Sequence, residues 1–357
     1  MAPLRHWVWF FILRAVSASV CTTPADCNFN GACKDATCVC AKPWSGDGCD
    51  ILDFAPPAFP PLGYAAQLGG QNVSSWGGSV IFDDAGVAHM YAAEMTSFCG
   101  INVWLSNSQI IHATSPDPTT VPFSRVSVVQ GAFSHEPIAV RAPTGEVVLF
   151  FTAVLPPAPL PVRGGAPCAG CANGMSAPRC GTDANRNASV MLPTYMVFSS
   201  GADGPWSAPL MVPGTDVFAD SNFAPVISGD GSLVALTRHQ VWAAADWRDV
   251  GAYKVVGTWG DVGEDPFIWT QDGVFHGIIH KGRANTTGVH YFSEDGVRWI
   301  ETPAGGAAYT AEGLACRERP HMVIRNGSLI GLTNGAAEVS CHGGSDHSTT
   351  LLRAFRA

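Results

Sequence analysis

Five times along this 357-residue chain, a short apolar run, a tight polar turn and a second apolar run follow one another. The segments are "GGSVIFDDAGVAHMYAAEM" from Gly77, "EPIAVRAPTGEVVLFFTAV" from Glu136, "APVISGDGSLVALTRH" from Ala224, "DPFIWTQDGVFHGIIH" from Asp265 and "RPHMVIRNGSLIGLTNG" from Arg319. Four of the five open on x-Pro, at Pro137, Pro225, Pro266 and Pro320. Proline has no N–H, so a sheet tolerates it mainly at a strand's first residue or at an edge. The x-Pro therefore marks where each first strand begins. Asp84–Gly86, Thr144-Gly145, Asp230-Gly231, Asp272-Gly273 and Asn326-Gly327 supply the turns. No long helical period is visible, and charged residues, at 14%, are too sparse for an exposed helix face.

A second unit follows the hairpins, in "IIHATSPDPTTVPF", "YMVFSSGADGPW" and "VHYFSEDGVRW": a strand ends in Ser, turns, and restarts at an aromatic. Four strands per repeat, five repeats and no helices predict an all-β chain built as a five-bladed β-propeller. Ser293-x-Asp295-Gly296-x-x-Trp299 resembles the outer turn of sialidase-like and other propeller blades. Pro225 and Pro266 lie 41 residues apart, about one blade. The longer gap from Pro137 to Pro225 holds an insertion, "LPPAPLPVRGGAPCAGCANGMSAPRCGTDANRNAS", which reads as a loop pinned by disulfides. Its Cys168-x-x-Cys171 lacks a fourth ligand at zinc spacing. No metal and no cofactor are expected.

The N-terminus has a charged start at Arg5-His6, an apolar core from Trp7 to Leu13 and small residues at Ser17–Ser19, the pattern of a secretory signal over residues 1–19. Nothing else is long and apolar enough to span a bilayer. Six of the 12 cysteines crowd residues 20–50, at Cys21, Cys27, Cys33, Cys38, Cys40 and Cys49. So short a segment needs covalent staples to stay folded. The spacing resembles the epidermal growth factor (EGF)-like module. That resemblance implies the pairs Cys21–Cys33, Cys27–Cys38 and Cys40–Cys49, and the acidic pattern of its calcium-binding members is absent. Cys316 and Cys341 bracket the fifth hairpin and are expected to pair; Cys99, Cys168, Cys171 and Cys180 remain, an even number. Residues 51–63 are Pro-rich and read as a stiff connector, leaving 64–357 for the propeller. N-glycosylation sequons stand at Asn72, Asn187, Asn285 and Asn326. The net charge of -9 without a basic run excludes nucleic acid as the partner. A secreted, extracellular protein is expected.

In a propeller the first strand of every blade lines the axis, and all five start on one face. Glu136, Asp265 with Glu264 behind it, and Glu318-Arg319 thus converge on one funnel, with His135 and His321 at the same level. Converging carboxylates push each other's pKa values apart, the condition for one acid and one base at neutral pH. Such a pair across a sugar ring is the apparatus of glycoside hydrolysis. Trp76, Trp104 and Trp269 are candidate platforms for a sugar face. His276 and His280 alternate with apolar residues and read as packing residues. "SHEPIAV", "GEDPFIW" and "RERPHMV" resemble the inner strands of glycoside hydrolase family 43 and its relatives. The resemblance implies an inverting glycosidase with an Asp base, a Glu acid and a further Asp that orients the acid. The family sets its base on the first blade, where this chain has Gly77-Gly78, and the third repeat has Ala224 where an acid is expected. The roles of Glu136, Asp265 and Glu318 therefore do not follow blade order; His135, Arg319, His321 and Trp76 are the expected substrate-positioning groups. The rival reading is a non-catalytic secreted protein that binds a glycan or a protein, with a surface for a protein partner on the EGF-like module.

Overall fold

The computed structural model describes residues 20–156, 158, 166–177, 180, 191–216, 221–259, 263–281, 287–302, 307–338 and 346–356. The expected signal segment, Asn187, Asn285 and Cys341 lie outside them. Five four-stranded antiparallel sheets form the blades of a propeller. The strand at the edge of each sheet is Ser75–Phe82, Ser134–Arg141, Ala224–Ile227, Glu264–Gln271 and Cys316–Arg325 in blades one to five. These five strands touch one another in a closed ring around the axis. Apolar residues fill the gaps between blades. Tyr91, Ile110, Leu149 and Phe151 are buried between blades one and two, Phe150, Phe223, Trp242 and Trp247 between two and three, and Ile268, Ile279, Trp259 and Tyr291 between three and four.

The fifth blade takes its outer strand from the far end of the sequence. Leu62–Tyr64 pairs antiparallel with Thr349–Ala354, Leu62 opposite Leu352 and Tyr64 opposite Thr350. The end of the expected connector is thus part of the sheet, and closing the circle this way covers an edge that would otherwise face solvent. The preceding residues are also fixed. Phe54 bridges to Phe355 and lies 4.7 Å beneath the Arg317 guanidinium.

The EGF-like module carries disulfides Cys21–Cys33, Cys27–Cys38 and Cys40–Cys49 around a hairpin of Gly31–Lys34 and Thr37–Cys40. It packs on blade four. Phe29 meets Phe292 edge to face at 5.1 Å, Trp44 lies 4.8 Å from His290, and Leu52 N–H donates to the Ala308 carbonyl at 2.9 Å. Cys99–Cys171 ties the second-blade insertion to a loop of blade one, and Cys168–Cys180 closes a loop within the insertion. Cys316 is also disulfide-bonded. Of the described sequons, Asn326 is exposed at a turn, and half-buried Asn72 accepts a hydrogen bond from Gln67 at 2.9 Å.

Gly63 sits at φ +112°, and a side chain there would strike the Thr350 carbonyl. Gly63→Ala is expected to lower stability by roughly 2 kcal/mol or more, since strain at positive φ adds to overpacking. A thermal denaturation of the variant checks this.

Candidate binding site at the propeller axis

Each inner strand carries one non-extended residue near its start. Gly77, Glu136, Asn222, Asp265 and Arg319 have φ of 58°, 57°, 48°, 56° and 51°. In four blades the cause is a β-bulge, where two residues oppose one. Gly77-Gly78 sits between the pairs Trp76–Ala93 and Ser79–Tyr91, and Glu136-Pro137, Asp265-Pro266 and Arg319-Pro320 occupy the same place in their sheets. A bulge turns the side chain it carries away from the blade face. The left-handed conformation costs a non-glycine residue about 1 to 2 kcal/mol. Its recurrence around the axis marks a built feature.

Blade three corrects the sequence reading. Its ring residue is Asn222, two positions before the expected Ala224, which lies inside the strand opposite Leu236. Pro225 is tolerated there because the strand is an edge strand. The left-handed residue, and not the x-Pro, marks the equivalent position in every repeat.

The ring residues bind one another. Arg319 Nη1 lies 3.0 Å from Asp265 Oδ1 and 3.1 Å from Glu136 Oε1. Asn222 Nδ2 donates to Glu136 Oε2 at 2.8 Å and to Asp265 Oδ1 at 3.0 Å. Gly77 completes the circle by leaving space, since a side chain on it would collide with the Arg319 stem. Arg238 braces this set, donating to Asn222 Oδ1 at 2.5 Å and to Glu264 Oε1 at 2.6 Å. His280 stands 3.7 Å from both Asp265 Oδ2 and Glu318 Oε1.

The three expected carboxylates, Glu136, Asp265 and Glu318, are thus brought together, and all are buried. Burial alone would raise Asp265, but His280, Arg319 and Arg238 hold it well below the usual carboxylate range. Burial pushes Glu318 up to about 7, helped by the charges of Asp265 and Glu264 and opposed by His280. Burial would lower the His280 imidazole, yet Asp265, Glu318 and Glu264 hold it above its ordinary value. Asp265, His280 and Glu318 place ligand atoms within 4.8 Å of one another, the spacing of a metal cluster. Arg319, 3.0 Å from Asp265, places a positive charge beside this cluster.

The other expected residues divide. His135 is beside the ring, its Nδ1 2.6 Å from Ser108 Oγ and its ring stacked 4.8 Å from half-buried Trp104. His321 is fully buried against Phe267, and burial together with the Arg319 charge pushes it down to about 3. Trp76 is buried and packs on Gly335, where any side chain would meet its ring. Trp269 lines the opposite end of the axis, in a cavity of about 650 Å³ that Val80, Val140, Val226 and Phe267 also wall. His89 and His276 lie away from the ring, in pairs with His112 and His290. Asn222, Arg238 and His280 were not foreseen. For His280 a signal existed: it is the cross-strand partner of Glu264.

The propeller fold is shared with solved glycoside hydrolases. A family 117 glycoside hydrolase of the marine bacterium Zobellia galactanivorans superposes with a TM-score of 0.55 at 13% identity, over 86% of this chain and 90% of that one. The α-L-arabinofuranosidase of Podospora anserina gives 0.54 at 10% identity over 83% and 95%. A thermostable family-43 glycoside hydrolase gives 0.52 at 10% identity over 82% and 93%. At such identities the likeness is one of fold. Residues 23–52 match the model of the Teneurin-like EGF domain. No curated protein matches the chain by sequence.

Arg319→Met strips two buried acids of their cation and is expected to cost about 3 to 5 kcal/mol, the usual penalty for an orphaned buried charge. Adding Glu136→Gln is expected to restore part of it, read from urea denaturation of the single and double variants. Folding raises the Glu318 pKa from 4.5 to about 7, so this group favours the folded state below pH 4.5 and loses that contribution as pH climbs through 7. Glu318→Gln is therefore expected to gain stability over the parent between pH 4 and pH 8, by up to about 3 kcal/mol.

Proposed function

We propose that this chain is a secreted, EGF-bearing propeller that binds a glycan at the strand-start mouth of its axis and leaves the glycan intact. The observation that carries this reading is the internal pairing of the acids. Glu136 and Asp265 share one nitrogen of Arg319 and one of Asn222. Hydrolysis needs two carboxyl groups with the sugar between them, roughly 6.5 to 9.5 Å apart for inversion or 5 to 5.5 Å for retention. Here His280 stands between Asp265 and Glu318, at 3.7 Å from each. Gly77 and Asn222 leave two of the five ring positions without an ionisable group. At the mouth, Trp104 over His135 offers an apolar face to a sugar ring. The Arg238–Glu264 pair, about one third exposed on each side, offers hydroxyl partners. The glycosidase architecture supports a carbohydrate ligand by likeness of fold. The disulfides suit an oxidising, extracellular setting.

One observation favours hydrolysis instead. Glu318 is pushed up to about 7 while Asp265 is held low, an acid and an ionised carboxylate side by side. The full-length secreted protein, tested on a glycan array and then by calorimetry, is expected to bind a glycan that Trp104→Ala binds at least tenfold more weakly. It is expected to show no turnover of chromogenic arabinosides, xylosides, galactosides or fucosides. Turnover that disappears in Glu318→Gln would replace this reading with the hydrolytic one.

A further inference from the structure

Blade four buries two histidines against each other beneath the EGF-like module. His276 Nδ1 lies 3.0 Å from His290 Nε2, and His290 Nδ1 lies 3.4 Å from the side-chain nitrogen of the module's Asn30. Both rings are fully buried. Trp44 of the module covers His290 from 4.8 Å, and Trp269 of the inner strand stacks on His276 at 5.3 Å. A second pair, His89 and His112 in blade one, instead has a carboxylate at each end, Asp83 and Asp203.

Asn30 fixes every proton of the blade-four pair. Its Nδ2 also donates to the Cys49 carbonyl at 3.0 Å, so the amide nitrogen, and not the oxygen, faces His290. His290 Nδ1 must then accept, which places the His290 proton on Nε2. That N–H donates to His276 Nδ1, which leaves the His276 proton on Nε2, an atom with no hydrogen-bond partner. The four ring nitrogens thus hold two protons and two lone pairs, and both lone pairs are occupied. A further proton has to enter at His290 Nδ1, against the Asn30 amide, or at His276 Nδ1, against the His290 N–H. Either sets two donors face to face in a buried place, which costs a hydrogen bond and the burial of a charge.

We propose that the His276–His290 pair is an acid switch that releases the EGF-like module from blade four. Nothing around the pair offsets an added charge. The module presents the neutral Asn30 and Trp44, and the inner strand presents Trp269. On the flanking strands of the blade, Lys281 and Glu301 pair with each other, and His280 is held between Asp265 and Glu318. On the fifth inner strand, Arg317 faces Glu312 and Arg319 belongs to the axial ring. Burial alone pushes His276 down to about 4, and burial with the His276 charge holds His290 well below its ordinary value. Lifting the module uncovers His290 and returns it toward the ordinary value of 6.5, so undocking takes up a proton. Docking is therefore at full strength above pH 6.5 and weakens as the pH falls below it, about tenfold per pH unit for each proton taken up. The contacts released are Phe29 on Phe292 and the Leu52 N–H on the Ala308 carbonyl. The switch is independent of the glycan-binding reading.

Hydrogen exchange of the Leu52 amide in the full-length protein, corrected for the intrinsic effect of pH on exchange, reads the docking equilibrium. Its protection is expected to fall about tenfold from pH 6 to pH 5. Amides of the inner strands should keep their protection over the same range, which separates undocking from unfolding. His290→Gln cannot take up the proton and is expected to flatten the pH dependence, whatever its docking strength at neutral pH. His112→Gln, in the blade-one pair, should leave the slope as it is in the parent. Leu52 protection that is independent of pH in the parent, or a slope unchanged in His290→Gln, overturns the proposal.

Discussion

The guanidinium of Arg319, 1% exposed, lies within about 3 Å of the carboxylates of two other blades. Glu136 and Asp265 are buried at the axis, and a buried carboxylate is tolerated only with a partner. Arg319 supplies the charge, and its stem needs the volume that Gly77 leaves vacant on blade one. Asn222 on blade three bridges the same two acids from the other side. Each blade therefore contributes one left-handed residue whose size and charge make sense only against the other four. The cost of the four left-handed non-glycine residues is set against this network.

The same constraint shapes the chemistry that the mouth offers. Acids satisfied by the protein's own cations are poorly placed to trade protons with a substrate, yet they keep Arg319, Asn222 and His280 fixed as a rigid floor. Arg238, Glu264, His135 and Trp104 stand around that floor. A surface so preorganised suits recognition of a ligand that brings hydroxyl groups and one apolar face.

The EGF-like module and the connector belong to this framework. Buried Arg317 packs against Phe54 and Tyr309 and hydrogen-bonds Asn334 at 2.8 Å, so the residue two before Arg319 ties the connector to blade five. The module's Trp44 and Asn30 close over His290 on blade four. A small disulfide-stapled unit has little core of its own, and docking on a blade adds the apolar contact it lacks.

Five hairpins, the turns between their strands and the cysteine spacing of residues 20–50 were legible in the sequence, because alternation, turn residues and disulfide spacing are local properties. So was the convergence of Glu136, Asp265 and Glu318, since strands of one repeat must start on one face. The register of blade three was not legible, because the left-handed backbone at Asn222 leaves no compositional mark while the nearby Pro225 does. Nor was the pairing of Arg319 with both acids, the bridging place of His280, or the inward packing of His321 and Trp76. The strand Leu62–Tyr64 joined the last blade against its appearance as a linker. These features depend on which blade lies beside which, and on space left empty by a glycine far away in the chain. Local sequence determined that there would be five blades, three of them with acids at their starts; the closed circle decided what those acids bind.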